Sequence, residues 1–408
     1  MLDKVAAANT ANNTENQPIY KNAAGTPTKE GYNEIRLTNK LHQKSIVQHV
    51  NSIDWKTGSE APIVVEFDPT TACNLHCPDC ISGDLLNQGA FERERIRELT
   101  REMVDAGVKA VILIGGGEPL SHPEAGWIIE YLGKHGVKIG ITTNGILINR
   151  YMDEIAEYVD WCRISMDAGT AETFQKIRPH ASGKSQFDLI CDNMRELGKR
   201  KKGRMGYSFM IYSEGQFASY NPNTIISDAE EYYTNAHEIA QAAQVAKDLG
   251  CDYFEVKPMY DVNHYAIAQA KPYIDLIRDQ VEAAMELAED DFRILQAVKL
   301  QATLAGERSI EEKEYNRCAV SELRTLVTPS GTYVCPYFRG KADKELGSLH
   351  NQSLEEMWQG EQRAAVMAKL DPSQDCKMHC IRHESNLILE DMISGKPVSV
   401  VEDFDLFI

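Results

Sequence analysis

From residue 62 onward, apolar and polar positions along this chain fall into a repeating order. Short β-branched runs occur at Ile63–Phe67, Val108–Ile114, Val137–Thr142, Cys162–Met166, Tyr207–Tyr212 and Tyr253–Lys257. Near-continuous apolar runs of this length suit strands buried on both faces. Between them the spacing turns helical. Ile96, Leu99, Met103 and Val104 recur at i, i+3, i+7 and i+8, and Phe187, Ile190, Met194 and Leu197 mark a second such face. Gly107, Gly136 and Gly250 each stand just before a strand, where glycine can end a helix in the left-handed conformation. Strand–helix units repeated in this way predict an α/β fold with a parallel sheet. Six units, where a complete barrel has eight, predict a partial (β/α)6 barrel.

The pattern also divides the chain. Residues 1–61 read as a lead-in, partly disordered because residues 1–28 are rich in Asn, Ala and Thr with almost no large apolar groups. Residues 62–262 form the barrel and 263–316 a helical connection, with an amphipathic stretch over 272–290 carried by Ile274, Ile277, Val281, Ala284, Met285 and Leu287. A C-terminal module spans 317–386, and 387–408 is a tail. The polar stretch 213–235 is too long for a plain βα connection and is expected to act as a lid.

Charge and composition narrow the setting. With 43 Lys+Arg against 61 Asp+Glu the net charge is −18, which disfavours general nucleic-acid binding and docking on anionic lipid. No apolar run approaches the ~20 residues of a membrane span, and the N-terminus lacks the basic and apolar regions of a signal peptide. A cytoplasmic location is expected. Ten cysteines in a reducing compartment then call for something other than disulfides.

The first strand runs into Thr70-Thr71-Ala72-Cys73-Asn74-Leu75-His76-Cys77, with Cys80 three residues on, a C-x3-C-x2-C loop. Thiolates are soft ligands for iron–sulfur clusters and for zinc. Three of them can hold three irons of a [4Fe–4S] cube and leave the fourth open for chemistry; a zinc knuckle completed by His76 or a distant residue is the alternative. The second strand ends in Gly115-Gly116-Gly117-Glu118-Pro119. Its glycines let a ligand approach the backbone, and Glu118 offers a carboxylate to an ammonium group. Arg163, Ser165 and Asp167 share one face of the fourth strand, and Glu255 and Lys257 one face of the sixth, by the period of two.

Together, the three-cysteine loop and the glycine-rich turn one βα unit later resemble the radical S-adenosylmethionine (SAM) superfamily, over residues 62–262. The resemblance implies that Cys73, Cys77 and Cys80 hold a [4Fe–4S] cluster whose open iron is chelated by SAM. It implies that Gly115, Gly116, Gly117 and Glu118 receive the methionine amino group. Ser165 and Asp167 would touch the ribose or carboxylate, and Arg178 would be a carboxylate partner. Thr142, Thr143 and Asn144 shape the pocket. An external one-electron donor such as flavodoxin or ferredoxin would start the reaction.

The late cysteines, Cys318, Cys335, Cys376 and Cys380, bracket a hairpin pattern, Leu326–Val334 with a Pro-Ser-Gly turn. Their order resembles the SPASM/twitch module found C-terminal to many radical SAM cores, a small α+β iron–sulfur unit. SPASM modules usually carry seven cysteines; four here imply one auxiliary [4Fe–4S] cluster, fully ligated, with structural zinc as the alternative. Cys162, Cys191 and Cys251 read as core thiols, and His379 and His383 flank Cys380. Glu255 and Lys257 are candidate substrate-pocket residues, or else a buried ion pair.

The expected activity is reductive cleavage of SAM to a 5′-deoxyadenosyl radical and abstraction of hydrogen from a hydroxylated small molecule, such as a sugar, aminocyclitol or nucleotide derivative. Oxidation, epimerisation or dehydration would follow. The alternative is a maturase that epimerises or cross-links a ribosomally made peptide. A non-catalytic iron–sulfur or zinc protein is the minor third reading.

Overall fold

A computed structural model of the chain describes residues 37–78, 80–212, 234–258, 260–261, 266–267, 273–297, 300, 313–376 and 380–408. The expected lid falls on residues 213–233, His379 on 377–379, and the start of the lead-in on 1–36; all lie outside the described residues.

Six strands succeed one another in sheet order and pair in parallel: β1 (Val64–Phe67), β2 (Ala110–Leu113), β3 (Lys138–Thr143), β4 (Trp161–Ser165), β5 (Arg204–Ile211) and β6 (Tyr253–Pro258). They are the six read from the apolar runs, with β5 beginning at Arg204 rather than Tyr207. β7 (Tyr260–Asp261) and β8 (Ala266–Ile267) form a small antiparallel pair. Two further parallel strands extend the sheet. β9 (Arg293–Gln296) joins β6, and β10 (Arg324–Thr328) joins β1, carrying with it the antiparallel strands β11 (Gly331–Tyr333) and β12 (Glu345–Gly347). The sheet thus runs β12-β11-β10-β1-β2-β3-β4-β5-β6-β9, an open, partial barrel. The expected hairpin is β10–β11, with Leu326 opposite Tyr333 and Thr328 opposite Gly331. Its first strand lies against the barrel's own first strand, so the sheet crosses the boundary drawn at residue 317.

Outside the sheet, α1 (Lys44–Ser52), α2 (Arg93–Asp105), α3 (Ala125–Lys134), α4 (Met152–Tyr158), α5 (Ala171–Ile177), α6 (Phe187–Arg200), α7 (Ile239–Asp248) and α8 (Tyr273–Met285) fill the connections. Ile96, Leu99 and Met103 of α2 and Ile190, Met194 and Leu197 of α6 are buried against Val65, Phe67, Val111, Leu113, Ile139, Ile141 and Ile164 of the strands. Cys162, Cys191 and Cys251 lie in this same core, where burial pushes the Cys162 thiol up to about 12 and the Cys191 thiol up to about 11.

Strand residues of opposite parity face inward. At one end of the barrel this inner face is apolar and closed. Val64, Ala110 and Ile112 form a second core with Leu41, Ile46, Val47 and Val50 of the lead-in and with Leu389, Met392, Phe407 and Ile408. Trp161 meets Phe407 edge-on at 5.4 Å. Arg324 is buried between the Glu66 carboxylate and the Ile408 oxygen, to both of which it donates. The residues expected to trail as a tail are therefore packed, and α12 (His383–Ile393) runs across the boundary drawn at 386. The module's remaining helices are α9 (Leu354–Trp358), α10 (Glu361–Lys369) and α11 (Pro372–Asp375).

Candidate active site

The loop that leaves β1 is held on three sides. Thr71 Oγ1 accepts from the Gln88 and Gly89 N–H groups at 2.8 and 2.9 Å. His76 N–H donates to Pro179 O at 2.8 Å, and Asn144 Nδ2 donates to Asn74 Oδ1 at 2.6 Å. These contacts fix a loop of reduced, half-buried cysteines, Cys73, Cys77 and Cys80. Burial pushes the Cys73 thiol up to about 11, and the neighbouring Glu118, Cys77 and Cys80 charges add to the rise.

The glycine-rich turn after β2 is pressed onto this loop. Glu118 N–H donates to Ala72 O at 2.8 Å. A Cβ on Gly117 would stand 2.4 Å from Ala72 O, and one on Gly115 would stand 1.7 Å from Gly117 O. The glycines are thus required first by the meeting of two backbones. Glu118 also has a role within the protein. Its side chain is buried and accepts from Leu120 N–H at 3.1 Å, Thr143 Oγ1 at 2.6 Å and Asn144 N–H at 2.7 Å. That carboxylate ties the β2 turn to the end of β3, with three of its roughly four acceptor sites taken within the protein.

Asp167 is likewise committed within the protein. It holds a left-handed backbone at φ 54° just past β4, a conformation that Asp tolerates better than most residues. Its Oδ1 accepts from Met210 N–H at 2.7 Å, and its Oδ2 accepts from Arg178 Nε at 2.8 Å and from Arg178 Nη2. Arg178, at the end of α5, is only 16% exposed and reaches Cys77 Sγ with Nη1 at 3.8 Å. Ser165 stands on the inner face one position below this pair, in register with Ser208 of β5.

Further along the inner wall, Glu255 accepts from Arg163 Nη1 at 3.2 Å and from Ser208 Oγ at 3.4 Å, with Lys257 Nζ at 3.7 Å. Burial alone would raise the Glu255 carboxyl; Lys257 and Arg163 overcome it and hold the group below its usual value. The result is a cluster of two cations around one anion, and the cations are the more exposed members.

The late cysteines come together from four segments: Cys318 ahead of β10, Cys335 after β11, Cys376 after α11 and Cys380 ahead of α12. None of the four is in a disulfide, and all are half-buried. Cys335 feels the charges of the other three late thiols and Cys376 those of Cys318 and Cys380, and burial pushes Cys376 up to about 12. His383 accompanies this group through Tyr315, whose hydroxyl lies 3.1 Å from His383 Nδ1. Among the described residues no three His, Cys, Asp or Glu side chains already stand at single-ion spacing, so the fit of either cysteine set to a metal group rests on its soft-donor chemistry.

One contact between the two halves has no counterpart in the sequence reading. Asp68, fully buried at the end of β1, pairs with Arg339 at 2.8 Å, and Arg339 Nη1 donates to Ser82 Oγ at 3.3 Å. Arg339 follows Cys335 in the C-terminal module, while Ser82 follows Cys80. Burial raises the Asp68 carboxyl to about 6 against the pull of Arg339.

An open parallel barrel with a three-thiol loop on its first strand and a glycine turn pinned to that loop defines the class of the radical SAM enzymes. Residues 67–217 match the family described as the radical SAM superfamily. The mycofactocin maturase MftC of Mycobacterium tuberculosis is 25% identical over 295 residues, covering 69% of this chain and 66% of that protein. The chain therefore spans just under two thirds of that relative's length. The GTP 3′,8-cyclase of Synechocystis is 34% identical over 150 residues, 36% of this chain and 44% of that protein. In fold, the chain matches Streptococcus suis SuiB in complex with precursor peptide SuiA at a TM-score of 0.56 and 13% identity, covering 99% of this chain and 87% of that one.

Proposed function

We propose that the chain is a radical SAM maturase acting on a peptide. Cys73, Cys77 and Cys80 would hold a [4Fe–4S] cluster with one iron free for SAM. The backbone of Gly115–Gly117 would line the methionine end, and Ser165 and Arg178 would meet its carboxylate side. When bound, the cluster and SAM supply a 5′-deoxyadenosyl radical that removes hydrogen from an unactivated C–H bond. The protein's part is to orient and exclude. Asp167 aims Arg178 toward the Cys77 corner, Glu118 locks the glycine turn, and the apolar second core closes one end of the barrel to water. Arg163 and Lys257 turn a net positive wall toward the substrate space, with Glu255 holding them apart. The four late thiols would carry one auxiliary cluster, and an external one-electron donor would serve the first.

The observation that carries the peptide reading is the maturase similarity extending over 69% of the chain, beyond the barrel. The fold shared with a peptide-bound enzyme is in keeping with it. A hydroxylated small molecule is the second reading, favoured by the higher identity to a nucleotide cyclase, but that likeness covers only 36% of the chain. The test is anaerobic turnover of reconstituted protein with SAM and a reductant. We expect 5′-deoxyadenosine formation that a cognate precursor peptide accelerates, with a change in the peptide's mass. Absence of 5′-deoxyadenosine sinks the radical SAM activity itself. Acceleration by small molecules alone sinks the peptide reading.

A further inference from the structure

Among the described residues, well-covered guanidinium groups meet carboxylates: Arg178 meets Asp167, Arg324 meets Glu66, Arg339 meets Asp68 and Arg363 meets Glu322. Arg382 departs from this rule. Its Nη1 is buried with no hydrogen-bond partner, and among the described residues no carboxylate pairs with it. A buried cation left this way is strongly unfavourable unless an anion compensates it.

The anion at hand is the four-thiol set. The backbone N–H of Arg382 donates to Cys380 Sγ at 3.3 Å, and Asn386 Nδ2, one turn into α12, donates to Cys318 Sγ at 3.6 Å. The start of α12 therefore carries an orphaned guanidinium together with two N–H donors, one to Cys380 and one to Cys318. We infer that Arg382 is a positioning residue, the countercharge of a redox-active iron–sulfur centre on Cys318, Cys335, Cys376 and Cys380, and that it holds this centre's potential up. The inference rests on the auxiliary-cluster reading above. Four thiolates leave such a centre negative, and one added electron makes it more so. A fixed cation and hydrogen bonds to sulfur favour the reduced form.

The experiment is a redox titration with dithionite, followed by electron paramagnetic resonance, on full-length protein whose Cys73, Cys77 and Cys80 are changed to Ala. Only the four-thiol centre then contributes. With Arg382→Gln added, iron content should hold, while the reduced-to-oxidised ratio at the parent's midpoint falls at least tenfold, a shift of 59 mV or more for one electron. Arg382→Lys should stay within twofold. An unchanged ratio in the Gln variant at equal iron overturns the inference. If the Gln variant loads no iron while the Lys variant does, the countercharge is supported; if both fail alike, shape rather than charge is at work and the inference falls. A parent that carries no cluster overturns both the auxiliary centre and this role for Arg382. SAM cleavage by the wild-type protein remains a separate measurement.

Discussion

Gly117 and Asp167 carry opposite kinds of constraint, and each can be tested by one substitution. At Gly117 the constraint is space. Gly117→Ala would drive a methyl group to within 2.4 Å of Ala72 O, so the cysteine loop must shift. We expect the variant to keep its helical circular dichroism and the iron of the four late cysteines, and to lose iron at the first loop. At Asp167 the constraint is charge on an unusual backbone. Asn tolerates the same left-handed conformation, so Asp167→Asn isolates the loss of Arg178's partner. Thermal unfolding should report a loss of about 1–3 kcal/mol, and SAM affinity should fall about tenfold, or ~1.4 kcal/mol, by calorimetry. The thiols supply a pH prediction. Cys73 at about 11 and Cys376 at about 12 are protonated at neutral pH, so each must release a proton on binding metal. Apparent affinity for cobalt(II), read from thiolate charge-transfer bands on the metal-free protein, should therefore rise steeply from pH 6.5 to 8.5.

Among the elements, α9 shows how the module is fastened. Ser353 and Glu356 cap it reciprocally, which delivers Trp358 into the interior. The indole is 1% exposed, donates to Ser59 O at 2.9 Å just ahead of β1, and lies 3.9 Å from the Arg363 guanidinium. Trp358→Ala should cost about 3–5 kcal/mol in denaturant unfolding, with loss of the module's contact to residue 59. Elements such as α2, α6 and β1 to β6 were legible because their signal is local: Ile96, Leu99 and Met103 repeat at helical spacing, and each apolar run is a strand. The cysteine sets were legible from their spacing. What could not be read is non-local. Nothing near Glu118 announces that Thr143 and Asn144 will absorb its carboxylate, and Asp68 and Arg339 stand 271 residues apart. Phe407 and Ile408 resemble any apolar chain end until the inner barrel face is there to receive them. Arg382, one charged residue beside a cysteine, becomes distinctive only when its buried Nη1 proves to have no hydrogen-bond partner among the described residues.

For the whole molecule, the decisive feature is that the sheet does not stop where the barrel begins. Val64 pairs with Arg324 and Phe67 with Val327, so the strand that launches the first cysteine loop is flanked on one side by a strand of the C-terminal module. A chain cut after residue 316 would leave β1 as a bare edge and open the second core that Ala319, Val320, Leu323 and Phe407 complete. Bare, apolar edges recruit other chains. We expect the truncated protein to sediment as aggregate, and adding residues 317–408 as a separate polypeptide during refolding to restore part of its solubility.

The same pairing sets a schedule. Glu66 and its partner Arg324 are 258 residues apart, so the ribosome makes the first cysteine loop long before the strand that steadies it. Structure that depends on such distant contacts forms late. The strand that carries the loop is thus steadied only after Arg324–Thr328 has been made, and iron delivery is expected after that strand emerges rather than on shorter nascent chains. Stalled ribosomes carrying only residues 1–316 should accordingly hold no radiolabelled iron.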